Sequence, residues 1–260
     1  MVTGDERGKQ EAELLKEKVG EDEIAARTGL TPSCLYSLPK LMWLSQNTEI
    51  IRNTRRIFFY EDYLGYLLTG VRKVSFSSAA RSMALNIRAG KWDDELLGYA
   101  GLDPNYFSEP VPSGTIIGTV LPEMARKLGL SADTFVVAGG HDQAMAGLGS
   151  GMTDEHLAED SIGTCECTAI LLTEKVNRQS LRNMEMPEMV YPVRNRFFTI
   201  LELTPCGALT NWASDIFWKN IRKECAARQQ DFFGKMDACM IFDNPPRFID
   251  PSKKSYALVS

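Results

Sequence analysis

The sequence predicts an α/β protein, and three stretches carry that expectation. An apolar run at 134–138, TFVVA, stops at Gly139-Gly140 and gives way to the small-residue run AMAGLG, which reads as a buried strand followed by a helix packed closely on a sheet. A second passage runs from the strand-like RIFFY at 56–60 into the helix-like EDYLGYLLTG, stopped by Gly70. Beyond residue 160, a hairpin around Gly163, a strand over 168–172, a strand over Phe197–Leu203 and a helix over Gly207–Ile221 open a second α/β region.

The chain has 260 residues, enough for one large or two small domains with a sizeable core. Its 44% apolar and 24% charged content is that of a globular protein. A net charge of −5 argues against a nucleic-acid backbone as partner. No apolar run approaches a membrane span, and the opening MVTGDERGKQEAELL is charged rather than signal-like, so a cytoplasmic location is expected. Six cysteines show no paired metal-ligand spacing and are expected to be reduced. With His141 and His156 the only histidines, no zinc ligand set is expected around Cys165 and Cys167.

In chain order, Glu6–Ala26 reads as one helix whose Glu11, Glu13, Lys16 and Lys18 form a solvated face around Leu14, Leu15 and Val19. An extended entry from Thr31 leads into a helix with Leu38, Leu41, Met42 and Trp43 on its apolar side. At the next strand-to-helix junction, Asp62 and Tyr63 are expected to cap and to pack. The serine-rich stretch SFSSAARSMAL offers small side chains that let backbone approach closely. Trp92 anchors a following helix, residues 102–118 are loop-rich with Pro104, Pro110 and Pro112, and Pro122–Leu130 is a further helix. The charged turn TDEHLAED, within 151–160, marks the expected domain boundary.

Chemistry concentrates after the Gly-Gly break. His141, Asp142 and Gln143 emerge at a strand end, where ligands sit in α/β sheets, beside the positive end of the next helix. A carboxylate there can accept the proton of a substrate hydroxyl as its oxygen attacks phosphorus. Asp142 could equally cap a helix beginning at Gln143. Twenty residues on, Ser161-Ile162-Gly163-Thr164 is either an ordinary hairpin turn or an anion-binding concavity of successive N–H groups with a threonine hydroxyl added.

The ordered set GGHDQAMAGLGSG, then DSIGTCE, resembles the centre of the FGGY carbohydrate kinases, and its spacing matches as well. YEDYLGYLLTG, the Ser/Ala-rich patch, GKWDDELLGYAGLD, YSLPKLMWL and PCGALTNWASDIF resemble further family segments in the same order, and PPRFIDPSKKSYALVS resembles another one cut short. The resemblance implies an actin-like, ribonuclease H-like two-domain α/β fold. Residues 1–152 would then be the later part of a sugar-side domain and 153–260 the opening of a nucleotide-side domain. It implies ATP-dependent phosphorylation of a sugar or polyol, with ATP accompanied by Mg²⁺, and in complete relatives often a dimer; no metal ligand is assigned among this chain's own residues.

Residue by residue, the resemblance makes Asp142 the general base and places Gln143 beside the substrate. Asp5 and Arg7 match the family's D-x-R near the sugar pocket, a surface ion pair being the other reading. Tyr36 lies where an aromatic lines that pocket, and it also suits core packing. Gly163 and Thr164 fall at the phosphates, and Gly207 and Asn211 where ATP approaches. Where relatives often carry an Asp before the serine patch, this chain has Lys73-Val74-Ser75, leaving Ser77, Ser78 and Arg81 as substitutes for its sugar contact. The family's opening D-x-G-T hairpin has no counterpart before Tyr36, so the chain is expected to be an internal portion of such a kinase, with open sheet edges and exposed apolar surface. A sugar-binding or interaction module without catalysis is the alternative.

Overall fold

The computed structural model describes residues 5–162, 166–203, 206–232 and 234. They fall into two compact units, one of Met1–Glu159 with Thr168–Leu201 and one of Asp160–Cys167 with Glu202–Ser260.

In the first unit the helical start is two helices, Lys9–Val19 and Glu21–Thr28, rather than one. The break falls at Gly20, whose φ of 96° no helical residue adopts. Glu11 is buried, not part of the solvated face, and Leu15 on the same helix and Ile24 on the next are fully buried. The helix Ser37–Asn47 forms as expected and buries Leu38 and Met42. Of RIFFY, residues 56–59 join no sheet among the described residues, and Tyr60 already begins the next helix. Only Ile57 N–H bonds across, to Tyr106 O at 2.8 Å, while the aromatic rings take up packing roles. Phe58 lies against Tyr63 and Tyr66, and Phe59 stacks on Trp92.

The helix Tyr60–Thr69 ends at Gly70 as expected, and Asp62 caps it by accepting the Phe59 N–H at 2.6 Å. Complete burial of Asp62 raises its carboxyl above the ordinary range. A parallel pair, Lys73–Ser75 with Glu109–Val111, follows, and the helix Phe76–Ala80 leaves it directly. Trp92 sits in a short hairpin, Leu85–Asn86 with Lys91–Trp92, and donates from Nε1 to Ser108 O at 2.9 Å. Asp93, next to it, caps the helix Asp94–Gly98. These pieces share one core with Leu96, Leu97, Phe107 and Phe198.

The helix Pro122–Leu128 leads into the strand Phe135–Val137, which runs antiparallel to Ile116–Thr119. That strand was expected to be buried, yet Phe135 and Val137 are half exposed or more and only Ala138 is enclosed. Phe135 and Val137 share one face of the strand, which is exposed, while Val136 between them packs against Val111, Ile117 and Ala138 on the other. Tyr63, Leu64, Leu67 and Ile116 are exposed as well, in keeping with the expected exposed apolar surface.

Later in the unit, the strands Glu166–Leu172, Phe197–Leu203 and Met189–Val190 lie side by side in that order. Glu188 ties this region to the helices. Its N–H donates to Gly29 O at 2.7 Å, and its buried carboxylate accepts from Arg178 Nε at 2.7 Å and from Arg88. Arg88 also lies over the Phe197 ring, 4.4 Å from its centroid.

In the second unit the helix expected over Gly207–Ile221 is Cys206–Phe217, followed by a separate Lys219–Ala227. Ser214 Oγ bonds back to Asn211 O at 2.8 Å, a contact that bends helices, and Trp218 leaves helical geometry. Arg222 then joins the two helices through Ser214 Oγ at 2.9 Å and Asp215 at 2.6 Å. The strand Phe197–Leu203 has the expected bounds.

Removing the Glu188 carboxylate takes the anionic acceptor from Arg88 and leaves Arg178 with the Thr173 and Val176 carbonyls alone. Glu188→Ala is therefore expected to destabilise the fold by about 2 kcal/mol, discounted for the part exposure of both arginines. A thermal unfolding midpoint equal to that of the unaltered chain would contradict this.

Candidate active site

The Gly-Gly break does what the sequence suggests. The strand ends at Val137, and after four intervening residues a helix over Asp142–Gly149 begins. Its small residues let it pack closely: Ala144 is fully buried, and a side chain at Gly147 would meet Met152 and the Tyr191 ring. Tyr191 in turn donates to Met152 O at 2.7 Å, and burial pushes its hydroxyl up to about 12.

His141, not Asp142, occupies the N-cap position, and Asp142 is the first helical residue. Asp142 Oδ1 accepts the Gln143 N–H at 2.8 Å, so the carboxylate does satisfy one helix-start amide. Its side chain nevertheless remains 85% exposed. Capping and exposure of the carboxylate coexist in this geometry.

Both neighbours of Asp142 hold a buried polar atom that lacks an aligned partner among the described residues, His141 Nδ1 and Gln143 Oε1. His141 Nδ1 lies 3.2 Å from Asp142 Oδ1 without hydrogen-bond alignment. Burial lowers the His141 pKa first, the positive charge of Arg81 lowers it further, and Asp142 offsets part of this. Together these favour the neutral imidazole.

Arg81 enters from the end of the helix Phe76–Ala80, one turn beyond Ser77. Its guanidinium lies 5.2 Å from the centroid of Tyr36, and it donates to Met189 Sδ at 3.3 Å. Tyr36 itself is the N-cap of the helix Ser37–Asn47 and packs against the core. Arg81 thus connects the Tyr36 ring with the surroundings of His141. From the same short helix, Ser77 Oγ accepts the His141 N–H at 3.0 Å.

The sequence-predicted residues separate into groups. Asp142, Gln143 and, through Arg81, Tyr36 come together. Asp5 and Arg7 pair with each other, Arg7 Nε reaching both carboxylate oxygens at 2.9 and 3.0 Å, and Arg7 lies over Trp43. The Arg7 hydrogen bond holds the Asp5 carboxyl down at about 2. No hydrogen bond or ion pair among the described residues joins this pair to the Asp142 turn. Gly163 and Thr164 lie outside the described residues. Gly207 and Asn211 stand one turn apart on the helix Cys206–Phe217 of the second unit, with Asn211 exposed.

The reading of the sequence missed Glu61 and Ser75, which stand behind Ser77. Ser75 Oγ donates to Glu61 Oε2 at 2.8 Å and caps the helix by accepting the Ser78 N–H at 3.2 Å. The departure at Lys73-Val74-Ser75 was the available signal, since serine before a helix is a preferred N-cap.

The fold is that of the sugar kinases. The structure of xylulose kinase from Rhodospirillum rubrum superposes with a TM-score of 0.76 at 21% identity, over 87% of this chain and 46% of that one. The description "FGGY family of carbohydrate kinases, N-terminal domain" matches residues 1–149, and the chain belongs to this family. It is 33% identical over 167 residues to a xylulose kinase of Staphylococcus xylosus, covering 63% of this chain and 34% of that protein. It is 34% identical over 152 residues to an autoinducer-2 kinase of Escherichia coli, covering 57% of this chain and 28% of that protein. The chain thus spans about a third of the length of these relatives.

Burial being the larger cause, His141 is expected to titrate below its ordinary 6.5 and to rise, though not fully back, in Arg81→Gln. Proton NMR titration of the imidazole tests this, and an unchanged midpoint in the variant would contradict the placement of Arg81. The lowered His141 pKa also bears on stability. The unfolded chain binds this proton more tightly, so stability is full above pH 6.5 and falls as pH drops toward the folded value.

Proposed function

We propose that this chain serves ATP-dependent phosphorylation of a sugar or polyol hydroxyl, with Asp142 as general base. One observation carries the reading: an exposed carboxylate at a strand-to-helix turn, flanked by His141 Nδ1 and Gln143 Oε1, buried atoms without a hydrogen-bond partner among the described residues. An unmade hydrogen bond at a buried polar atom costs about 1–3 kcal/mol, and a polyhydroxylated ligand is suited to supply what is missing. One sugar hydroxyl would donate to Asp142 and another to Gln143 Oε1. Tyr36 offers an apolar ring face to the same ligand, and Arg81 a cation. Asp5 and Arg7, already satisfied by each other, would contribute only if a ligand displaced that pair.

ATP with Mg²⁺ supplies the electrophilic phosphoryl group. Asp142 takes up the hydroxyl proton as the sugar oxygen becomes a nucleophile, and the neutral His141 leaves that carboxylate without a competing cation on the adjacent residue. Gly207 and Asn211 fit a nucleotide contact, since Asn211 is exposed and the pair shares one helix face. Gly163 and Thr164, with their N–H groups and hydroxyl, are proposed for the phosphates on the sequence pattern alone. The Mg²⁺ would arrive with the nucleotide rather than on a protein ligand set.

A ketose such as xylulose is the first substrate to try, because relatives of this name match the chain. The autoinducer-2 kinase match, at similar identity, keeps the choice wide. The test is sugar-dependent ADP release with D-xylulose, gluconate and glycerol, for the chain and for Asp142→Asn. Sugar-dependent release that falls by about a hundred- to ten-thousandfold in Asp142→Asn, with sugar binding retained, is expected. Turnover surviving in the variant would remove Asp142 from the role, and sugar binding without any ADP release would favour a binding module.

A further inference from the structure

The turn that carries Asp142 is held from behind by a line of hydrogen bonds that the proposed chemistry does not use. His141 N–H donates to Ser77 Oγ at 3.0 Å. Ser77 Oγ lies 3.4 Å from Ser75 Oγ, the longest link of the line. Ser75 Oγ donates to Glu61 Oε2 at 2.8 Å, and the Ser75 N–H reaches Glu61 Oε1 at 3.3 Å. A hydroxyl has one proton, and that of Ser75 is committed to Glu61, so Ser77 is the donor to Ser75. Every link then points the same way, from the His141 amide to a carboxylate.

Two further facts single this line out. Ser75 is fully buried and Ser77 nearly so, which strengthens each bond and makes its loss costly. At Gly140 a Cβ would stand 2.5 Å from Ser77 Oγ and 3.2 Å from Met145 Sδ, so only glycine lets the hydroxyl approach the turn. Glu61 sits in the first turn of the helix Tyr60–Thr69, where the helix dipole favours its negative charge.

We propose that Glu61, acting through Ser75 and Ser77, is a positioning residue that fixes the turn presenting Asp142. It touches no reacting atom. Its catalytic consequence rests on the reading of Asp142 as base, whereas its structural content does not. The serine patch then serves the turn rather than the sugar, and Ser77 is not a substitute for the family's missing Asp. Charge-assisted acceptance at Glu61 polarises the Ser75 hydroxyl, which sharpens the acceptor offered to Ser77 and so to the His141 amide.

Amide hydrogen exchange of the 260-residue chain tests this without any turnover. In Ser77→Ala and in Glu61→Ala, exchange at His141 and its neighbours in 140–143 is expected to rise by about tenfold, while the core amides of Leu96 and Leu97 keep their protection. Glu61→Gln keeps one acceptor oxygen for the Ser75 hydroxyl but loses the charge and turns an NH2 group toward the Ser75 N–H, so its exchange is expected to fall between that of the unaltered chain and that of Glu61→Ala. Gly140→Ala, which crowds Ser77 away, should reproduce the Ser77→Ala pattern. Unchanged exchange at 140–143 in Ser77→Ala would overturn the proposal. So would a rise shared equally by Leu96 and Leu97, or a Glu61→Gln chain that exchanges like Glu61→Ala. Where turnover is measured, Ser77→Ala is expected to lower kcat by a larger factor than it raises the sugar KM. Should Asp142→Asn retain turnover, the base assignment falls, and the exchange pattern still decides the positioning role.

Discussion

Between a strand that stops at Val137 and a helix that starts at Asp142, four residues decide where one carboxylate points. Their path depends on a close approach: Gly140 leaves room for the Ser77 hydroxyl, and that hydroxyl takes the His141 amide. With the amide satisfied, the helix can begin at Asp142, whose carboxylate meets the next free N–H while staying exposed. The short helix Phe76–Ala80 matters for the same reason, because it delivers Ser77 and, one turn later, Arg81.

Electrostatics around that turn follow from what is buried. His141 loses water and lies near the Arg81 charge, so its neutral form is favoured over the imidazolium that Asp142 alone would prefer. Arg81 is spread over a tyrosine ring and a thioether, both weak partners for a cation. Such a cation remains available to a ligand with partial or full negative charge, whereas Arg7 is committed to Asp5. The two arginines that a sequence motif would treat alike thus differ in what they can still bind.

Much of this was legible in the sequence because it depends on local rules. A double glycine after an apolar run, glycine at a helix end and small residues at 144–149 state their conformations directly, and the strand Phe197–Leu203 has its expected bounds. The misses share a cause in tertiary context. RIFFY has strand propensity, yet its rings found aromatic partners instead of a ladder. The charge pattern around Glu11 looked solvated, yet the first helix packs among its neighbours in the fold and Glu11 is buried. At the site, Asp142 and Gln143 were visible as a motif, while Glu61 and Ser75 were not, since 80 residues separate Glu61 from His141 and only folding aligns them.

The account turns on whether the Asp142 turn is a preformed seat for a polyhydroxylated ligand. The most direct measurement is backbone amide NMR of the chain titrated with D-xylulose in the absence of nucleotide. Shifts concentrated at His141, Asp142 and Gln143, with Tyr36 and Arg81 responding, are the predicted result. Saturable shifts located elsewhere, with residues 141–143 unmoved, would contradict it.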